Sequence, residues 1–378
     1  VSQVIEVLAK VIVGLALAGY LIKQGYDNTV SVAGAIFGVT VGSLVALVYM
    51  MVYKMRNYRF ESVAEPDVPE SAGTILKNLL RIGIPIALGS VVLSLINLLD
   101  AGLCMSRLQD AVGYSYKYAN TLYGVYGKAQ TLFNLPAAFI TPLTISIVPA
   151  ISAQLALKNR AQAGKISEDS LRISMAVALP MGVGLAVLSE PIMNVIYPTA
   201  HEAGGLLLCL LGIASVFVCF SLMSTAVLQA SGNEKLTLYS IIAGGLVKIT
   251  INWFIIAIPS VNIYGAPIGT ICCYVTMCVM NIIFINRSLD KKLSFKNVFL
   301  RPAVPSLIMG IAAYGVFYLC CMFIAPDGRL AMALDMCIAI AVAVIVYAVA
   351  VIKLRAITAE DMALIPKGDK IARLLHMS

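Results

Sequence analysis

The sequence predicts an all-α, polytopic membrane protein, and three observations carry that prediction. Ten apolar runs divide the chain, at about 3–22, 32–53, 82–106, 131–157, 173–197, 205–229, 238–258, 265–285, 302–324 and 330–352. Each is long enough for a helix to cross a hydrocarbon core about 30 Å thick. Charged residues make up 12% and hydrophobic residues 60% of the 378, and mean hydropathy is +0.91, where soluble domains carry roughly a quarter of their residues charged. The third observation is that the cations concentrate in alternate connections.

Lys54, Arg56, Arg59, Lys77 and Arg81 follow the second run, and Lys158, Arg160, Lys165 and Arg172 follow the fourth. Lys235 follows the sixth, a cluster from Arg287 to Arg301 the eighth, and five more lysines and arginines from Lys353 to Arg373 the last. The other side holds only Lys23, Arg107, Lys117, Lys128 and Arg329. By the positive-inside rule the richer side, with the C-terminus, is cytoplasmic. A net charge of +8 is therefore a topology signal and not a nucleic-acid footprint, since the basic residues form no amphipathic face.

The first run opens with Ser2 to Lys10, which matches Ser240 to Lys248 in the seventh with serine and lysine superposed. The next helices match too, Gly34-Ala35-Ile36-Phe37-Gly38 against Gly265-Ala266-Pro267-Ile268-Gly269. Runs seven and eight are the fifth and sixth counted from Ile82, so runs one and two read as the last pair of an earlier six-helix unit, four of whose helices would precede Val1. Six is even, so the two units enter the membrane in the same direction, as a parallel repeat. The organisation expected is residues 1–56 as the last two helices of a first lobe and 57–74 as a polar, proline-containing cytoplasmic linker. Residues 75–286 form the second six-helix lobe, 287–355 two additional helices, and 356–378 a cytoplasmic amphipathic tail.

The third run carries the most informative polar residues. At roughly 100° per residue, Ser90, Ser94, Asn97, Asp100 and Arg107 fall within an arc of about 140° on an otherwise apolar helix. An unpaired charge in hydrocarbon costs about 3 kcal/mol on insertion scales, so the stripe is expected to face a hydrated cavity or a partner helix. Asp100 paired with Arg107 two turns away, or Arg107 reaching the interface as an anchor, are the structural alternatives to substrate binding. Past it, Tyr114, Tyr116, Tyr118, Tyr123 and Tyr126 suit a short helix at headgroup level or an ordinary aromatic belt. Gln130, Asn134, Thr141 and Thr144 share a helical face beside Pro136 and Pro142, fit either for a polar ligand in a cavity or for interhelical hydrogen bonds. Lys10 and Lys248 occupy equivalent positions in the two halves. Lys10 has Glu6 four residues before it, the favourable spacing for an ion pair, whereas Lys248 has no acid at that spacing.

Nothing in the sequence supplies catalysis. There is no Ser/His/Asp or Cys/His arrangement, paired-carboxylate motif, Walker sequence or GxGxxG, so a non-enzyme without cofactor is expected. His201 and His376 stand apart from any ligand cluster, and the nine cysteines lie in or beside apolar runs without metal or redox spacing, so no metal is expected.

SQVIE at 2–6, INLLD at 96–100 followed by Arg107-Leu108, and LFNLP at 132–136 followed by SIVPAIS at 146–152 resemble the stage V sporulation protein B-like polysaccharide-biosynthesis proteins. These belong to the multidrug/oligosaccharidyl-lipid/polysaccharide flippase superfamily and are similar to the lipid II flippases. The resemblance implies a fourteen-helix protein of the bacterial cytoplasmic membrane, two six-helix lobes plus two helices, of which this chain lacks the first four. Its implied work is to move an undecaprenyl-diphosphate-linked oligosaccharide or peptidoglycan precursor by alternating access. It implies lipid-linked glycan and bilayer as partners, with a coupling ion and cell-wall synthesis proteins beside them. A cation-coupled multidrug antiporter of the same superfamily and a non-transporting scaffold for envelope or spore-wall assembly are the rival functions. On the flippase reading, Arg107 is a bidentate phosphate ligand that Asp100 holds when the site is empty. Asn97, Gln130, Asn134, Lys248 and Lys10 complete the expected substrate-binding set.

Overall fold

The computed structural model describes residues 2–57, 71–198, 202–289, 293–324 and 328–354. It consists of two compact units, Val1–Ser71 and Ala72–Ser378. Among the described residues all regular structure is helical. A backbone that crosses hydrocarbon must satisfy every amide within itself, and the helix is the form in which one segment can do so alone. The expected linker at 57–74 falls mostly, and the tail at 356–378 wholly, outside the described residues.

The first unit is a helical pair, α1 (Ser2–Lys23) and α2 (Asn28–Asn57), joined by a turn at Gly25, whose φ of +80° suits glycine. The pair is antiparallel and closely packed. A Cβ on Gly38 would overlap the backbone of Gly14, one on Gly34 the Leu21 side chain, and one on Gly42 the Lys10 stem and the Glu6 carbonyl.

The second unit begins with α3 (Ala72–Asp110), followed by α4 (Tyr116–Phe133) and α5 (Leu135–Ala156), which read as a single membrane crossing. Next come α6 (Arg160–Val187), α7 (Ser189–Ile196), α8 (Ala203–Ala230), α9 (Glu234–Ile255), α10 (Gly265–Ser288), α11 (Arg301–Ile324) and α12 (Arg329–Lys353). The described residues thus contain ten segments long and apolar enough to span a membrane. The most buried of them is α8, which packs against α4, α5, α6, α7 and α10. Two apolar clusters divide its length. Leu207, Leu208 and Leu211 join α3, α4 and α7 at one end, while Phe220, Met223 and Val227 join α5, α6 and α10 at the other.

Helices α3 and α6 begin about ten residues before the runs read from hydropathy, and two further differences come from a proline's missing amide. The run at 131–157 extends back to Tyr116, with a junction at Asn134, because Pro136 cannot bond the Leu132 carbonyl. Helix α4 is therefore no short headgroup-level helix: Ala119, Leu122, Val125, Tyr126 and Ala129 bury one face in the core. The run at 173–197 breaks at Leu188, where Pro191 leaves the Val187 carbonyl without its helical partner, so α6 and α7 are separate. Within α5 the hydroxyls of Thr141 and Thr144 bond carbonyls of their own helix, Ala137 O at 2.9 Å and Thr141 O at 2.7 Å.

Candidate functional site

Helices α3 and α9 lie side by side and run the same way, and the site forms along their seam. Gly89 meets Ile241, Ile96 fills the space over Gly245, Asp100 meets Lys248 and Asn252, and Arg107 meets Trp253. Small residues on α9 make the approach possible. A Cβ on Gly245 would overlap Ile96, and one on Gly244 would stand 2.7 Å from Met277 of α10.

At mid-seam the Lys248 ammonium sits 2.8 Å from Asp100 Oδ2, with the two side chains each 6% exposed. Asn252 Nδ2 donates to Asp100 Oδ1, and Cys104, one turn along α3, has its sulfur 4.0 Å from the same oxygen. Asn252 is fully buried and Thr270 of α10 nearly so; the Thr270 hydroxyl donates to Ala266 O at 3.0 Å. The carboxylate therefore has both oxygens occupied, and the lysine has its counter-charge inside the bundle. Pairing of this kind is what permits two full charges at hydrocarbon depth, where either alone would be costly.

Arg107 stands seven residues further along α3 with its guanidinium over Trp253, Cζ 3.1 Å from the ring centroid. Its Nε is buried and has no acceptor, and among the described residues Arg107 makes no ion pair. The expected resting pair of Asp100 with Arg107 does not form. The two share a face of α3, but the shorter reach across to α9 gives Asp100 to Lys248. By the same contact Lys248, which has no acid at helical spacing, acquires one from a helix distant in sequence.

The remaining expected residues separate. Asn97 is exposed beside the seam, and Ser90 and Ser94 bond carbonyls of their own helix. Gln130 is half-buried on α4, and Asn134 is exposed at the α4–α5 junction with its amide donating to Gln130 O at 2.9 Å. In the first unit Lys10 pairs with Glu6 at 2.7 Å, and Ser43 of α2 donates to the same carboxylate oxygen at 3.2 Å. Asn252 and Trp253 were not singled out by sequence. The signal was available, since Asn252 lies one turn beyond Lys248 on the same face and Trp253 is the only tryptophan in the chain. No His/Cys/Asp/Glu cluster among the described residues could hold a metal ion.

Ten segments long and apolar enough to cross a membrane, with an ion pair sealed between two of the helices, define a polytopic membrane protein. The sequence matches the family described as lipid II flippase MurJ over residues 9–325, and the chain belongs to that family. It is 25% identical to the uncharacterized membrane protein YabM of Bacillus subtilis (strain 168), covering 99% of this chain and 69% of that protein. It is 24% identical to the lipid II flippase MurJ of the same strain, covering 90% and 64%. Among solved structures it resembles lipid II flippase MurJ in an inward closed conformation, with TM-score 0.56, 16% identity, and coverage of 93% of this chain and 67% of that one. That likeness establishes the fold. The chain spans about two thirds of the length of these relatives.

Proposed function

We propose that this chain is the larger part of a flippase that carries an undecaprenyl-diphosphate-linked peptidoglycan precursor or oligosaccharide across the cytoplasmic membrane by alternating access, with its C-terminus in the cytoplasm. The observation that carries the reading is the family match over residues 9–325. What supports a phosphate-bearing substrate within it is Arg107, held against Trp253 and making no ion pair among the described residues. A guanidinium offers a planar fork of donors that suits phosphate oxygens in pairs.

On this reading residues 1–56 are the last helices of a first lobe, 57–74 the linker, 75–286 the second lobe, 287–355 two additional helices and 356–378 the tail. Contact register supports the repeat. In α1–α2, Gly38 packs on Gly14 and Gly42 on Glu6 and Lys10; at the matching positions of α9–α10, Gly269 packs on Asn252, and Gly244 on Cys273. Lys10 and Lys248 each meet an acid, Glu6 in one case and Asp100 in the other.

The test is complementation of a flippase-deficient bacterium by the full-length parent protein. Arg107→Ala and Arg107→Lys are both expected to impair growth at unchanged expression, because lysine keeps the charge but loses the fork. Growth equal to the parent's with Arg107→Ala would show that Arg107 is not the substrate's cationic contact.

A further inference from the structure

We propose that Trp253 is a positioning residue for the substrate's diphosphate: it holds the Arg107 guanidinium by one face and leaves the donor edges to grip phosphate oxygens. The inference rests on the phosphate-ligand reading of Arg107 and goes beyond it, because it assigns the affinity of that arginine to a second residue on another helix.

Three observations converge. First, the Arg107 Cζ stands over the indole, 3.1 Å from its centroid, so the ring covers the guanidinium on that side. A guanidinium carries its five N–H donors in its own plane, at its edges, so a ring over the group leaves those edges as its hydrogen-bonding surface. Second, the arginine is ordered without being neutralised. Of the carboxylates that share its helix, Asp100 has one oxygen taken by Lys248 and the other by Asn252, and Asp110, three residues on, accepts from Ser106 at 3.0 Å. Among the described residues Arg107 makes no ion pair, and its buried Nε has no acceptor. Third, Trp253 directly follows Asn252 on α9, so one helical turn fixes both the neutral pair and the free cation.

The seam therefore sorts two cations by role. Lys248 is satisfied from within the fold, and Arg107 is left for an external anion. Stacking matters because a long, flexible side chain loses rotamer freedom when it grips a ligand, and a guanidinium already immobilised on a ring has lost much of that freedom beforehand. A diphosphate carries enough oxygens to take more than one pair of guanidinium donors, whereas a single carboxylate takes one pair. Trp253 is itself 49% exposed, so it also has the exposure expected of an interfacial anchor. An anchor's loss would alter membrane insertion and leave anion affinity alone.

The experiment measures equilibrium binding to the full-length parent protein in phosphatidylcholine nanodiscs, with two probes: a radiolabelled short-chain isoprenyl diphosphate, and inorganic pyrophosphate as competitor. Trp253→Ala is expected to weaken binding of the isoprenyl diphosphate about tenfold, and Trp253→Phe, which keeps a ring, to recover most of it. Arg107→Gln is expected to abolish binding in all three backgrounds. Helicity and nanodisc incorporation equal to the parent's certify each variant's fold. Competition by pyrophosphate at similar concentration identifies the diphosphate as the recognised group, while its failure to compete assigns recognition to the lipid-linked form. As the sole tryptophan, Trp253 gives a second reading: its fluorescence changes saturably with the same ligand in the parent and not in Arg107→Gln. Parent-like binding by Trp253→Ala, with binding lost in Arg107→Gln, overturns the role of Trp253 and keeps that of Arg107. Parent-like binding by Arg107→Gln overturns both.

Discussion

Replacing Lys248 by methionine leaves Asp100 as a lone carboxylate between α3 and α9, and the structure sets the size of the effect. The two side chains are each 6% exposed and 2.8 Å apart, so neither has bulk water to fall back on. Breaking a buried pair from one side costs roughly 3–5 kcal/mol, and a single acid at hydrocarbon depth about 3 kcal/mol on insertion scales. At 1.36 kcal/mol per tenfold, the lower figure is a shift of roughly 150-fold in the folding equilibrium. The hydrogen bond from Asn252 remains and offsets part of it. Asp100→Asn is expected to be milder, since a stranded lysine has a four-carbon stem with which to reach the interface. The double variant, Asp100→Asn with Lys248→Met, buries no charge and is expected to recover most of the loss, as buried pairs replaced whole often do. The measurement is the SDS midpoint of unfolding of the purified protein in mixed micelles, followed by circular dichroism, for the parent, both single variants and the double. A Lys248→Met loss under about 1 kcal/mol, or a double variant as unstable as the two single losses added, would refute the claim that the pair is a sealed, mutually dependent unit.

Gly269→Ala is expected to destabilise the protein by about 1–3 kcal/mol, because a Cβ there overlaps the Asn252 carboxamide and displaces it from Asp100; thermal unfolding in detergent reads the loss. Orientation is checked by reporter fusions placed after Lys165, expected in the cytoplasm, and after Pro326, expected outside; the reverse pattern would overturn the charge-based topology.

Element existence was legible because hydrocarbon imposes a simple rule. A spanning segment must be helical, long and apolar, and ten such runs can be counted along the chain with no knowledge of their neighbours. The resemblance carried by short motifs such as INLLD at 96–100 and LFNLP at 132–136 placed the chain in its superfamily, and the match over 9–325 places it in the lipid II flippase family. Boundaries were less legible where apolar segments meet. The chain stays apolar through Asn134 and Leu188, so hydropathy runs on while Pro136 and Pro191 interrupt the helical ladder. The tyrosines past Asp110 misled for a related reason, since Tyr126 is fully buried in α4 and composition alone cannot tell a buried tyrosine from an interfacial one.

The sequence by itself determined that Asp100, Arg107 and Lys248 are expensive to place in a membrane and so must have partners or a purpose; the desolvation of a charge depends on depth, and depth follows from position within an apolar run. It also determined the Glu6–Lys10 pair, because residues four apart on one helix are neighbours whatever the rest of the chain does. Which partner each of the other charges takes was decided only by tertiary structure. Asp100 and Arg107 share a face, and spacing along one helix made them each other's best candidates. The close approach of α9, permitted by Gly244 and Gly245, instead brings Lys248 and Asn252 to Asp100 and Trp253 to Arg107. Those contacts join residues about 150 apart in sequence, and no local periodicity encodes a helix–helix register.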